Sequence, residues 1–136
     1  MKLTKNVSAE ELFCKCTYKD CDYKRTMMSH EELAETIQLA VNHFSEVYND
    51  KITVTINCAN RCPKHNHDVG GENNSFHMLA MAADIALYTS NKGRVPCGLV
   101  ADFYDKKFPS SHGIGRYNTF THIDIRKDKS RWNKCT

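Results

Sequence analysis

Ile52-Thr53-Val54-Thr55-Ile56-Asn57-Cys58 alternates apolar and polar residues and is rich in β-branched side chains, which reads as a strand with one buried face. Just upstream, Ser29 and Glu32 have the Ser-x-x-Glu form of a capping box that opens a helix. Leu33, Ile37, Ala40, Val41, Phe44, Val47 and Tyr48 then recur at three- and four-residue spacing. Glu31, Glu35, Gln38, Asn42 and Glu46 face the other way, and Asn49-Asp50 ends the helix. Such a stripe needs a sheet or a second helix to cover it. Downstream, residues 83–88 read as a second strand and residues 95–108 as a second amphipathic helix carrying Val95, Leu99, Val100, Phe103 and Tyr104. Residues 113–117 and 120–126 read as a closing pair of short strands. A shorter helix opens at Ser8 with Glu11 three residues on. Strands and helices mix without a βαβ rhythm. The expected class is α+β: a small antiparallel sheet with two main amphipathic helices packed on it.

The chain has 136 residues, enough for a single domain spanning 1–136, and the charged stretch 127–136 is expected as a loose tail. No apolar run approaches the ~18 residues of a membrane span, so no membrane partner is expected. Net charge is +3 with basic residues scattered among acidic ones, which argues against a nucleic-acid partner. Met1-Lys2-Leu3-Thr4-Lys5-Asn6 has no apolar core of a signal peptide, so the expectation is synthesis in a reducing cytoplasm. The 7 Cys are an odd number, so at least one thiol lacks a partner within the chain.

Three segments carry the chemistry. They are Ser75-Phe76-His77 leading to Ala82-Ala83-Asp84, Phe120-Thr121-His122-Ile123-Asp124, and Arg61-Cys62-Pro63-Lys64-His65-Asn66 leading to Val69-Gly70-Gly71. Two imidazoles and a carboxylate suit zinc, and three protein ligands leave a fourth position open for water. On a strand His122 and Asp124 share a face, so one can bind metal while the other orients it or handles a proton. The polar segment 59–76, which also holds Asn73-Asn74, is long for a structureless loop in a small domain and so points to function.

The order Ser-x-His-x-x-Gly-x-Ala-x-Asp followed by His-x-Asp resembles the zinc D-Ala-D-Ala carboxypeptidase and endopeptidase family, whose fold is shared with lysostaphin-type enzymes and the hedgehog signalling domain. The match runs through Ser75, His77, Ala82, Asp84, His122 and Asp124, with the Arg-x-Pro-x-x-Asn turn at Arg61, Pro63 and Asn66 and Val-Gly-Gly at 69–71. It covers most of residues 7–126. One departure is Ala80, where the family has Gly; if φ is positive there, Ala costs about 1 kcal/mol. The resemblance implies zinc held by His77, Asp84 and His122. It makes Arg61 the cation that binds a peptide carboxylate or steadies the carbonyl oxygen, and Ser75 a hydrogen-bonding, substrate-side residue. It also implies a metal-activated water that attacks the amide carbonyl and a His or Glu base just upstream of the last ligand, where this chain has Thr119 and Phe120; the expected general base is therefore Asp124, which shares a strand face with His122, with His112 in reserve. The implied substrate is the stem or cross-link peptide of peptidoglycan, cleaved by carboxypeptidase or endopeptidase action in a monomer. The short chain resembles phage-encoded lysis enzymes that reach the cell wall after lysis or in a virion.

Other readings stand beside this one. A metal-stabilised, non-catalytic binding module is possible on the same fold, and so is a thiol-based redox or metal-storage protein. A Cys nucleophile paired with a His is a further alternative. Cys14, Cys16 and Cys21 fall within eight residues and can join a fourth ligand in a second, structural metal site, form a disulfide, or remain thiols. Cys58 and Cys62 can form a redox or metal pair, while the resemblance places them on a strand and the following turn as small buried thiols; His30, His43, His65 and His67 read as surface histidines.

Overall fold

In the computed structural model, which describes residues 1–19, 21–71, 75–91 and 93–136, the alternating stretch is strand β1 (Ile52–Cys58). Ile52 and Ile56 are buried while Thr53 and Thr55 are exposed, as the period dictates. β1 pairs antiparallel with β2 (Ala82–Thr89), and β2 with β4 (Thr121–Asp124). β4 pairs antiparallel with β3 (Gly113–Arg116), giving the order β1-β2-β4-β3-β5.

The fifth strand corrects two expectations. β5 (Ser130–Asn133) lies parallel to β3, so the sheet is mixed, and the stretch expected as a loose tail is part of it. Arg131 fastens it. The guanidinium donates to the carbonyls of Phe108, Ser111 and His112 and pairs with Asp105 at 2.7 Å.

Helices α1 (Ser29–Tyr48) and α3 (Cys97–Lys107) cover one face of the sheet. Leu33, Ile37, Ala40, Val41 and Phe44 of α1 join Ile85, Leu87, Ile114 and Ile123 in a single core with Val100 and Tyr104 of α3. Each fully buried Leu or Ile there contributes roughly 1.5–3 kcal/mol over exposure. Tyr104 is fully buried, and its hydroxyl donates to the Thr36 carbonyl at 2.8 Å, tying the helices together. Val47 and Leu99 fall outside the buried stripe, 60% and 46% exposed. The expected capping box at Ser29 does not form: the helix begins at Ser29 itself, and the ring Nδ1 of His30 accepts the Met27 N–H at 3.1 Å. His30, expected at the surface, is fully buried. At Ser8 the reach-back does form, Glu11 Oε1 accepting the Ser8 N–H at 2.9 Å before a 3-10 turn at Ala9–Leu12.

The segment 59–76 is not structureless. It holds α2 (Pro63–Asp68), with Pro63 in the first helical position where its missing N–H costs nothing, and the start of a 3-10 turn, Phe76–Leu79. Residues 72–74, including Asn73-Asn74, lie outside the described residues. No helix among the described residues is long and apolar enough to cross a membrane.

Candidate metal centre

Core residues of β2 and β4 alternate with a second set facing away from the helices. Register aligns that set across the whole sheet: Cys58 on β1 opposes Asp84 on β2, Asp84 opposes His122 on β4, His122 opposes Gly115 on β3, and Gly115 opposes Trp132 on β5. A bulge between Ile56 and Cys58 brings Cys58 into this row. His77 enters from the 3-10 turn, whose cap is Ser75: its hydroxyl accepts the His77 N–H at 3.1 Å.

Asp84 Oδ1 lies 3.3 Å from His77 Nε2 and 3.1 Å from His122 Nδ1. The opposite nitrogen of each ring is occupied. His77 Nδ1 lies 2.6 Å from the Ala59 carbonyl, and His122 Nε2 lies 2.7 Å from Asp124 Oδ2. Both partners are acceptors, so each must receive an N–H from the ring, which leaves a lone pair on His77 Nε2 and on His122 Nδ1. Three lone-pair atoms therefore converge, an arrangement that only a cation or a proton stabilises. Burial alone would discharge both histidines, but hydrogen bonds to Asp84 and, for His122, first to Asp124 outweigh it and raise both above the ordinary imidazole value. Burial likewise pushes Asp84 up, and the bonds from His122 and His77 overcome it and hold the carboxyl at about 2. His77 and His122 are thus both brought to the Asp84 carboxylate, and the ligand atoms of Cys58, His77 and Asp84 all lie within 4.8 Å of one another, a donor set of the kind that suits zinc.

Asp124 sits differently from the base it was expected to be. It is fully buried, and five contacts occupy its two oxygens. Arg126 grips it with Nε and Nη2, both at 2.7 Å, and with its backbone N–H at 3.2 Å. The Gly113 N–H donates at 3.0 Å, and His122 takes the last position. Burial favours protonation of this carboxyl, yet the His122 and Arg126 bonds hold it far below the usual carboxylate range. A group so placed fixes the ring of His122 and has no free lone pair for a water. The reserve candidate His112 is stacked on Phe108 with centroids 3.7 Å apart, its Nδ1 2.7 Å from Ser111 Oγ.

Arg61 follows the strand end that supplies Cys58. Its backbone N–H donates to the His77 carbonyl at 2.9 Å and its Nη2 to Ser75 Oγ at 3.2 Å. Among the described residues its buried Nε has no partner and no carboxylate pairs with it.

Three participants lie outside the expected set. Cys58 Sγ lies 3.9 Å from His77 Nδ1 and within ligand range of Asp84; only the bulge turns it there, and a bulge leaves no mark in an alternating pattern. Trp132 packs on His122 with centroids 4.8 Å apart, and its Nε1 donates to the Tyr117 hydroxyl at 3.0 Å. Arg126 lies over Phe76 at 4.1 Å and near Trp132 at 5.5 Å. Being the chain's single tryptophan in an otherwise charged stretch was the available signal for Trp132. Two glycines of β3 make room: a Cβ on Gly115 would stand 2.4 Å from Trp132 Nε1, and one on Gly113 2.1 Å from Asp124 Oδ2. Cys62 lies apart. Its sulfur does not face the centre but joins Cys14, Cys16 and Cys21 in a separate cluster.

A sequence model of the family described as Peptidase M15 matches residues 5–124, a span that contains every member of the centre except Arg126 and Trp132. No curated protein matches the chain.

Proposed function

Because the chain belongs to the Peptidase M15 family, and so to the metallopeptidases, we propose that it is a zinc-dependent peptidase hydrolysing stem or cross-link peptides of peptidoglycan, of the D-Ala-D-Ala carboxypeptidase or endopeptidase type. The convergence of His77 Nε2, His122 Nδ1 and Asp84 Oδ1 carries the reading. These three atoms would hold the zinc, which when bound polarises a carbonyl and lowers the pKa of a water to near neutrality. The Ala59 carbonyl and Asp124 keep the two ligand lone pairs aimed inward by holding the opposite ring protons. Arg61, unpaired by any described carboxylate and steadied by Ser75, supplies a cation for a substrate carboxylate or for the charge that develops on the carbonyl oxygen. Stem peptides are short and rich in carboxylates, which suits that pairing. Trp132 packs against His122, and Arg126 lies over both Trp132 and Phe76 at the edge of the centre.

The test is digestion of purified muropeptides by the zinc-loaded protein, read by mass spectrometry. New stem-peptide fragments are expected from the wild type and none from His77→Ala. A wild type that binds zinc but leaves every muropeptide intact would overturn the peptidase reading. That result belongs to a second reading, a metal-stabilised binding module, which one observation favours: Asp124 and His112, the two expected bases, are both engaged elsewhere.

A further inference from the structure

The thiols of Cys14, Cys16, Cys21 and Cys62 play no part in the centre above, yet their sulfurs all lie within 4.8 Å of one another. Cys14, Cys16 and Cys62 are buried and form their own small cluster, with Cys21 and Tyr23 packed against it. We propose that these four cysteines bind a second zinc ion, in a tetrahedral all-sulfur site that is structural.

Three observations carry this. The first is spacing: Cys62 Sγ stands 3.8 Å from Cys16 Sγ. A tetrahedron with Zn–S bonds of ~2.3 Å has S–S edges of about 3.8 Å, whereas a disulfide requires ~2.05 Å. The second is the hydrogen bonding around the sulfurs. Cys62 N–H donates to Cys14 Sγ at 3.4 Å, and His65 N–H donates to Cys62 Sγ at 3.4 Å. Backbone donors aimed at sulfur stabilise thiolates and fix their orientation, as the outer shell of a metal site does. Lys24 adds a cation beside them, its ammonium donating to the carbonyls of both Cys14 and Cys16. Zinc replaces four thiol protons, so four thiolates and one divalent ion leave a net double negative charge that Lys24 partly offsets. The third is how little apolar burial holds the segment in place. Between the 3-10 turn at Ala9–Leu12 and α1, the described residues form no helix or strand, and the buried side chains that could hold them in place are Cys14 and Cys16. A segment with so little apolar burial needs a cross-link to be ordered.

The location gives the ion a task. Cys62 follows Arg61 directly and caps α2, so the site fastens the N-terminal segment to the turn that presents Arg61. The metal assignment itself does not depend on the peptidase reading.

The experiment uses the His77→Ala,Cys58→Ser double variant, which removes one ligand of the first centre and the thiol beside it. The protein is purified anaerobically, its metal content is measured, and its cysteines are mapped by alkylation before and after a strong chelator. The expected result is one zinc per chain, with Cys14, Cys16, Cys21 and Cys62 unreactive until chelation while exposed Cys135 reacts at once. Cobalt in place of zinc should give an intense thiolate-to-metal charge-transfer band that Cys16→Ser abolishes; should Cys16→Ser fail to fold, the alkylation map decides. Absence of metal with all four thiols as reactive as Cys135, sulfurs that react only after a reductant, or iron in place of zinc would each overturn the proposal. One zinc in wild type and in the double variant alike would instead count against the first centre and leave this one standing.

Discussion

Replacing Asp124 by Asn separates an orienting carboxylate from a catalytic base, since the change keeps the shape and removes the charge. Asn retains an oxygen that can accept from Gly113 N–H or from His122 Nε2, now 3.0 and 2.7 Å away. Its amide nitrogen must face Arg126 in either orientation, so one of the two 2.7 Å contacts, from Nε or from Nη2, turns from attraction to donor against donor. Breaking a buried ion pair costs about 3–5 kcal/mol, but Arg126 is 22% exposed and rests on Phe76, so it can swing toward water. A loss of about 2–3 kcal/mol follows, and the melting temperature falls by roughly 5–15 °C for a domain of this size. With the charge behind His122 gone, zinc affinity should drop about 10–100-fold. Competition with a chromogenic chelator measures that affinity, and muropeptide turnover is then read at saturating zinc. The expectation is weakened zinc binding with turnover restored to within about tenfold once the metal is saturating. A general base would behave in the opposite way, with unchanged affinity and about 10²–10⁴-fold loss of turnover at any zinc concentration. That outcome would refute the role assigned to Asp124.

Gly115→Ala should push Trp132 off His122, because the new Cβ meets the indole at 2.4 Å; a loss of about 1–3 kcal/mol and a changed emission spectrum of the chain's single tryptophan are expected, and an unaltered spectrum would contradict the packing. Ala80 adopts φ +57° and ψ +28°, a left-handed conformation that costs a non-glycine residue about 1–2 kcal/mol, while its buried methyl returns about 0.8 kcal/mol. Ala80→Gly should therefore leave stability unchanged or raise it by up to about 1 kcal/mol in thermal melts, and a clear loss would argue against that backbone. Burial lowers the pKa of His30, whose Nε2 has no partner among the described residues, so the folded state keeps it neutral while the unfolded chain takes a proton near pH 6.5. Its contribution is present above that pH and declines as pH falls below it; denaturant melts of His30→Asn, which keeps an acceptor for Met27 N–H, should show a shallower decline from pH 7 to 5 than wild type.

What could be read from the sequence was whatever repeats locally. β1 shows its face through Ile52 and Ile56, α1 shows its stripe through Leu33, Ile37 and Phe44, and both are found where the period puts them. The meeting of His77 and His122 at Asp84 was legible through motif order, since periodicity says nothing about which His meets which Asp. What escaped depended on contacts distant in sequence. β5 has four residues, too few to show a period, and its place is set by Arg131 reaching three carbonyls at 108–112 and by pairing with 113–116. α2 has six residues, again less than two turns, and only Pro63 marked it. Cys62 lies 46 residues from Cys16, so the fourth member of the sulfur cluster was invisible until the chain closed on itself. His30 carried a misleading signal, because a polar residue in the first turn of an amphipathic helix usually faces solvent; here its ring nitrogen caps Met27 N–H instead.

The sheet explains why so short a chain can hold such a centre rigidly. Each of the five strands gives one position to a single cross-strand row, Cys58, Asp84, His122, Gly115 and Trp132, so the spacing of the centre is set by backbone hydrogen bonds and not by loops. Asp84 and His122 lie on the inner strands, where neighbours on both sides fix the backbone, and only His77 arrives from a turn. The same arrangement makes the row intolerant of register error. A one-residue slip of β4 would turn His122 and Asp124 into the apolar core and bring Ile123 out beside Asp84, burying a histidine and a carboxylate without partners. Gly113 and Gly115 penalise that slip further, since they alone leave room on β3 for a carboxylate and an indole at the positions where Asp124 and Trp132 now stand. The residues that position the centre therefore also specify the register of the sheet, so register errors and loss of metal affinity should appear together in variants of β3 and β4.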